Sequence, residues 1–427
     1  MNFYPSRVVE ASRHFYPGLT AGVFFWYDLQ MKNLAFVSSS RADFGKMLPL
    51  IEAASELGHK CFVFCTGLHF RDSLGFTWMH VREKCDEHGW GFFPWYINDM
   101  DYPSKSAEVY TGIRIFLGMN DIDLLVVHGD RAEALGAAMA SLNGQRVAHV
   151  EGGEISSTAD EISRHAITKL SQIHLVSSKV ARNRVVQMGE HEDSVFIVGS
   201  PDIDVLIDKE RRPTLEEVHK QYPDLAGLSA KKGYGVVMYH PVSFYKSDQQ
   251  AQAARNVAEA LTRPKQWLII GTNDDVGWEA VAQALQTRKR DLGKFAAYIP
   301  SMRFEHFVTA LENSAMIVGN SSCGIMEAPV LGIPTIDVGP RQDGRAKEFG
   351  IGSITQVRDD TASEIAHAID TLWGRSYKPD FSFGNGDTGD KFAAVLSGRA
   401  VWQLPLQKQF VVRSHKAAPK YSKRRYV

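Results

Sequence analysis

The sequence predicts an α/β protein built as two Rossmann-like domains in tandem with a ligand cleft between them. Three observations carry this. From residue 33 short apolar runs alternate with amphipathic segments, the pattern of parallel strands covered by helices. The alternation stops across a polar stretch, DKERRPTLEEVHKQYPDLAGLSAKKG (208–233), and then resumes. At 427 residues and 44% hydrophobic content the chain exceeds one ordinary core, at about 150 residues per domain.

In the first block NLAFVSSS (33–40), KCFVFCTG (60–67), IDLLVVHGD (122–130), RVAHVEGG (146–153), IHLVSS (173–178) and VFIVGSP (195–201) read as strands. FGKMLPLIEAASELGH and RAEALGAAMASLNG read as helices between them, the second small and apolar enough to press closely on a sheet. In the second block YGVVMYHP (234–241), QWLIIGTN (266–273), FAAYIPS (295–301), MIVGNSS (316–322) and PTIDVG (334–339) are strands. The chain thus divides into an N-terminal extension (1–32), Rossmann-like domains over 33–207 and 208–385, a closing helical segment (386–411) and a basic tail (412–427). GLTAGVFFWYDLQ (18–30) is short for a secretory signal and lacks a clear cleavage site, so a packed or disordered extension is expected.

Lys+Arg 48 against Asp+Glu 49 leaves no global charge to favour nucleic acid or an anionic membrane, so any anion must be caught locally. Cys61, Cys65, Cys85 and Cys323 form neither a disulfide framework nor a zinc set of usual spacing. No run reaches the roughly 18 apolar residues of a spanning helix. A cytoplasmic protein is expected.

In open α/β sheets ligands sit beyond the carboxyl ends of the strands. There stand Asp130 in LLVVHGDRAEAL and Glu151 in VAHVEGGE, with Asp160 soon after. GNSSCGIMEAP (319–329) joins a strand to a helix, so free backbone N–H groups and the hydroxyls of Ser321 and Ser322 suit an anion, with ordinary capping as the competing reading. Glu327 suits the hydroxyls of a ribose. SSSRADFGK (38–46) repeats the geometry with Arg41 and Lys46, and Arg131 and Arg341 follow other strand ends. Together they point to a diphosphate held between domains. His240 ends a strand and faces the cleft; Asn273 with Asp275 forms a turn, a ligand contact or an acidic metal cluster. His128 with Asp130, and His149 with Glu151, sit two apart and could converge on a metal, against a crowded hydrogen-bond network as the commoner outcome. No Walker loop is present, and the GxGxxG at 384–389 follows no strand. No GxSxG elbow supports a serine nucleophile.

SRADFGK, HGDR, EGGE followed by TADEISRHAITKLS, then VGSPDID, HPV and NSSCGIMEAP…GIP…GPRQ together resemble the hydrolysing UDP-N-acetylglucosamine 2-epimerases of sialic acid biosynthesis, over about residues 33 to 411. The resemblance implies a glycosyltransferase-B type fold, no metal or cofactor, a homo-oligomer (dimer or tetramer), and conversion of UDP-N-acetylglucosamine and water to N-acetylmannosamine and UDP. It places Asp130, Glu151 and Asp160 on the catalytic acids. Arg41, Ala42, Arg131, His240, Asn273, Ser321, Ser322, Glu327 and Arg341 fall on nucleotide-sugar positions, and Arg164 and His165 in the catalytic-loop motif. Asp130 and Asp160 are assigned to proton transfer at C2 and C1, with Glu151 ordering water or sugar hydroxyls. Three positions depart from the family pattern: SSS replaces a usual Gly-Thr before RAD, Met326 a usual Arg, and Ser157 a usual Gly. The rival readings are a 2,4-diacetamido-2,4,6-trideoxy donor, a non-hydrolysing epimerase, a retaining glycosyltransferase, a metal hydrolase and a nucleotide-sugar sensor without turnover.

Overall fold

The computed structural model describes residues 30–413 apart from 73–74, 99–100, 229–232, 274 and 358–360. The apolar stretch before residue 30 and the basic tail from 414 lie outside the described residues. Two parallel sheets form. The first contains β1 (Asn33–Ser38), β2 (Lys60–Cys65), β3 (Gly91–Pro94), β4 (Leu124–His128), β5 (Val147–Val150), β6 (Ile173–Val176) and β7 (Val195–Ile197), in the order β3-β2-β1-β4-β5-β6-β7. The second contains β8 (Tyr234–Met238), β9 (Gln266–Ile270), β10 (Ala296–Ile299), β11 (Met316–Gly319), β12 (Thr335–Val338) and β13 (Ile354–Val357), in the order β10-β9-β8-β11-β12-β13.

All the strands expected from the apolar runs are present, each ending one to four residues before its run does. Sequence reading misses β3 and β13, both at sheet edges. An edge strand has one hydrogen-bonded neighbour and partial cover, so GFFP and ITQV, mostly half-buried, need no continuous apolar run. The inner strands are continuous runs because both faces are covered. Leu34 and Phe36 of β1 join one buried cluster and Ala35 and Val37 the other, as a period of two requires.

The expected helix after β4 is helical only over Ala132–Ala138 before tightening to a 3₁₀ turn at Met139–Asn143. Its small residues serve close packing on the helix Tyr102–Met119: a Cβ on Gly136 would lie 2.2 Å from the Ser106 carbonyl oxygen. After the second sheet the chain returns to the first. In helix Thr388–Ser397, Phe392, Val395 and Leu396 bury against Leu34 and Phe36. Asp204 of helix Pro201–Ile207 accepts the N–H groups of Thr388 (3.0 Å) and Gly389 (2.8 Å), capping that returning helix.

Strand order reverses between β1 and β4 and again between β8 and β11, so each sheet opens a crevice at its carboxyl end there. The two crevices meet at a buried ionic clamp. Lys46, on helix Arg41–Glu56, binds Asp202 and lies 3.1 Å from Glu327 on helix Cys323–Val330. Both acids are essentially inaccessible to solvent, so removing the ammonium strands two carboxylates in the interior. Burial, together with Glu151 and Glu327, outweighs Lys46 and pushes the Asp202 pKa up to about 8. The region is therefore over-supplied with negative charge, and the two sides of the pair should respond unequally to neutral substitution. Lys46→Met is expected to lower unfolding free energy by on the order of 3 kcal/mol, whereas Asp202→Asn should change it by less than about 1 kcal/mol. Urea denaturation of both variants checks this, and equal losses would contradict it.

Candidate functional site

The cleft, of about 280 Å³, is lined from the first sheet by Ser40, Arg41, Ala42, Lys46 and Arg131. From the second come His240 after β8, Gly271, Thr272 and Asn273 after β9, Pro300–Met302 after β10, and Ser321, Ser322 and Glu327 after β11. The expected cations and hydroxyls thus converge from both sides. Ser322 stands at the N-cap of helix Cys323–Val330 but makes no side-chain capping hydrogen bond, so capping does not account for it. Ser40 does cap: its hydroxyl accepts the Asp43 N–H (3.2 Å), and Asp43 accepts the Ser39 N–H (2.9 Å). The SSS departure from the family pattern therefore builds the start of the helix that carries Arg41 and Lys46.

His240 is buried, and its pKa falls well below the ordinary value through burial and the nearby Arg341. The Asn273 N–H donates to its Nδ1 (3.2 Å), which leaves the ring proton of the neutral imidazole on Nε2. Asn320, which sequence reading passes over, ties the two strand ends together. Its Oδ1 accepts the His240 N–H (2.7 Å), its Nδ2 donates to the His240 carbonyl (2.8 Å), and its own carbonyl accepts from Arg341 (3.1 Å). β11 approaches β8 closely enough here that a Cβ on Gly319 would meet the Met238 carbonyl oxygen at 1.9 Å. The Asn273 amide donates to Asp275 (2.8 Å), which makes that pair a polar turn.

Asp130 and Asp160 face one another electrostatically with opposite consequences. Burial resists ionisation of Asp130, but Arg164, Arg345 and Arg341 overcome it and hold its pKa below the usual carboxylate value. Asp160 is pushed up by burial and by Asp130, against the pull of Arg341, which lies 3.5 Å away. Tyr102 steadies the turn by donating to the Asp130 carbonyl (2.6 Å). Glu151 sits deeper. Its Oε2 is 3.1 Å from His128 Nε2, and its Oε1 accepts the Ser200 hydroxyl. Burial opposes its charge, yet His128 and Lys46 keep its pKa far below the usual carboxylate range.

Several expectations shift. Arg164, expected at the substrate, is buried on the inward face of helix Ala159–Leu170. It binds Asp130 and donates to the Glu154 carbonyl (3.2 Å), supporting an acid and the loop before it. His165, one residue round the helix, pairs with Glu161 (3.6 Å) and is not brought to the acids. Lys46, expected beside a diphosphate, is drawn instead to Asp202 and Glu327 because those buried carboxylates require a counter-charge. Arg131 lies 3.4 Å from the buried Glu133 while still lining the cleft. The metal reading of paired His and acid does not take the expected form. His149 is committed to Thr168 (3.0 Å) and the Gly129 carbonyl (2.8 Å). The ligating atoms of His128, Glu151 and Asp202 lie within 4.8 Å of one another, but Lys46 already meets Asp202 there. Met326 packs among Ile325, Ile351 and Phe383, so an apolar side chain fits where the family pattern has Arg. Asp43, Ser200, Asp202, Asn320 and Arg345 join the site unforeseen as its members, and His128, expected in a metal pair or a hydrogen-bond network, takes the second course; the motifs SRADFGK, VGSPDID and NSSCGIMEAP were the signal for four of the five.

No helix among the described residues is long and apolar enough to cross a membrane. A family model described as UDP-N-acetylglucosamine 2-epimerase matches residues 59–397. The UDP-N-acetylglucosamine 2-epimerase of Neisseria meningitidis serogroup B is 37% identical over 89% of this chain and 99% of that protein. The hydrolysing UDP-N,N'-diacetylbacillosamine 2-epimerase of Legionella pneumophila is 26% identical over 89% and 98%, and the polysialic acid biosynthesis protein P7 of Escherichia coli 29% over 74% and 81%. Among solved structures, the Methanocaldococcus jannaschii UDP-GlcNAc 2-epimerase in complex with UDP-GlcNAc and UDP superposes with a TM-score of 0.68 at 19% identity, covering 85% of this chain and 99% of that one. A second UDP-GlcNAc 2-epimerase, from Neisseria meningitidis and bound to UDP-GlcNAc, distinct from the relative above, gives 0.67 at 15%, covering 84% and 97%. The fold is the glycosyltransferase-B type, two parallel sheets facing a cleft, and the chain belongs to the UDP-N-acetylglucosamine 2-epimerase family.

Proposed function

We propose that the protein is a hydrolysing 2-epimerase that converts UDP-N-acetylglucosamine and water to N-acetylmannosamine and UDP through a glycal. The carrying observation is the pair Asp130 and Asp160, the first bound by Arg164 and the second 3.5 Å from Arg341, driven to opposite protonation preferences by their surroundings. A reaction that removes one proton and adds another needs one group poised to accept and one poised to donate. The hydrolysing relative from Legionella pneumophila supports the same branch.

In this reading the uridine diphosphate lies across the two crevices. His240 donates from Nε2 to the diphosphate, and Arg41, Arg131, Arg341, Ser321 and Ser322 offset its charge. Glu327 has Oε1 on Lys46 and Oε2 without a hydrogen-bond partner among the described residues, which suits it to accept from ribose hydroxyls. Asp130 takes the C2 proton. The C–H electrons form the C1–C2 double bond as the C1–O bond breaks and UDP leaves with the electron pair. In the second half-reaction Asp160 gives its proton to C2 while water adds its oxygen at C1; the proton shed by that water restores Asp160, Asp130 returns its proton to solvent, and Glu151 orients water or sugar hydroxyls.

Carbon–oxygen cleavage makes a direct prediction. In H₂¹⁸O the label should appear at C1 of free N-acetylmannosamine and not in UDP, with solvent deuterium at C2 in D₂O. Release of UDP-N-acetylmannosamine would instead identify a non-hydrolysing enzyme.

The two cleft acids should separate the half-reactions. Asp130→Asn is expected to lose at least about 100-fold in both glycal and sugar release, whereas Asp160→Asn should still release glycal while sugar formation falls. Rapid-quench chromatography of the products distinguishes them, with UDP binding as the control for folding. An unimpaired Asp130→Asn enzyme would end the assignment.

A further inference from the structure

The buried group formed by Asp43, His128 and Glu151 is not needed to explain nucleotide binding, yet its polar atoms are closely constrained. His128 is the last residue of β4. Its Nδ1 lies 2.8 Å from Asp43 Oδ1 and its Nε2 3.1 Å from Glu151 Oε2. A neutral imidazole donates from one nitrogen only, so a ring meeting an acceptor oxygen at both nitrogens satisfies both only when doubly protonated. The remaining oxygens tell the same story. Asp43 Oδ2 accepts the Ser39 N–H at 2.9 Å and Glu151 Oε1 accepts the Ser200 hydroxyl, so each carboxyl group is used as an acceptor at both ends. Glu151 is also held in a backbone conformation rare for a side-chain-bearing residue, with φ at 63°.

We propose that Asp43 and His128 are positioning residues for Glu151: His128 stands as an imidazolium between the two carboxylates and fixes Glu151 as an oriented, permanently ionised acceptor. The inference rests on the function proposed above for the same site. It removes Glu151 from the candidates for proton donor in the hydration step and leaves that role to Asp160.

The surrounding charges agree. Helix Arg41–Glu56 presents Asp43 and Lys46, helix Pro201–Ile207 presents Asp202, helix Cys323–Val330 presents Glu327, and β5 presents His149 beside Glu151. Burial holds His149 neutral, with its pKa down to about 3, so it adds no positive charge. Asp43, Glu151 and Glu327, with Asp202 raised to about 8, then face two cations, Lys46 and His128. Burial alone would discharge His128, but hydrogen bonds to Asp43 and Glu151 hold its pKa up at about 10.

His128→Gln keeps a neutral donor toward Glu151 and removes the charge. Without the cation, burial raises the Glu151 pKa, so its ionised form is lost at higher pH. The acid limb of kcat should move up by at least about one pH unit, while the UDP dissociation constant stays within about threefold. Asp43→Asn should move the limb in the same direction by less. A uniform fall in kcat with an unmoved limb would reduce His128 to a structural role and overturn the proposal. A second measurement needs no folded variant: in ¹⁵N-histidine wild-type protein at pH 8, both His128 ring nitrogens should carry protons, and a neutral-tautomer signature there overturns the proposal as well. If the wild type fails to consume UDP-N-acetylglucosamine, the proposed function falls, and the NMR signature still decides whether His128 is an imidazolium.

Discussion

The structure depends on one constraint: several carboxylates are buried where the two sheets meet, and each must find a cation or a donor without help from water. Isolated ionised carboxylates in a low-dielectric interior are too costly to persist. Lys46 answers for Asp202 and Glu327, and His128 for Asp43 and Glu151. Because Lys46 belongs to the first sheet's helix and Glu327 to the second's, the same ion pairs that satisfy the acids also join the sheets. The arrangement of the cleft and the ionisation of its acids are thus set by a single network.

Topology supplies the rest. Parallel sheets built by right-handed crossovers leave a gap where strand order reverses, and here both gaps face one cleft. The loops after β1 and β4 bring Arg41, Asp130 and Arg131. Those after β8 and β11 bring His240, Ser321 and Ser322. Short rigid strands end at these loops, so the polar groups begin where the apolar core stops. Asn320 illustrates the economy of the arrangement: one buried amide fixes the ends of β8 and β11 and its carbonyl receives Arg341, the residue that reaches Asp160.

Much of this was legible in the sequence because strands covered on both faces must read as apolar runs. The same runs locate Asp130 and Glu151 at their ends. The edge strands β3 and β13 were not legible, since partial cover imposes no such pattern. Partnerships were hidden for a different reason. His128 meets Asp43 across 85 positions, Lys46 meets Asp202 across 156 and Glu327 across 281, and no local spacing encodes these. Lys46 could be placed at the cleft from its motif, but whether it faced phosphate or carboxylate required knowing what else was buried beside it. Arg164 and His165 are adjacent in one motif, yet a helix turns successive residues by about 100°, so one supports Asp130 and the other meets Glu161.

Two acids just after adjacent strands and a third in the first turn of helix Ala159–Leu170 would be redundant if their surroundings were alike. They are not. Asp130 has guanidinium groups on more than one side, including Arg341 and Arg345 from the second sheet, and ionises readily. Asp160 has Asp130 for a neighbour and retains its proton more easily. Glu151 has a cation locked against it from within the first sheet. The first two therefore depend on residues contributed across the cleft, while the third does not. The second sheet therefore tunes the proton-moving pair, through Arg341 and Arg345 at Asp130 and Arg341 at Asp160, around an acid whose charge is already fixed.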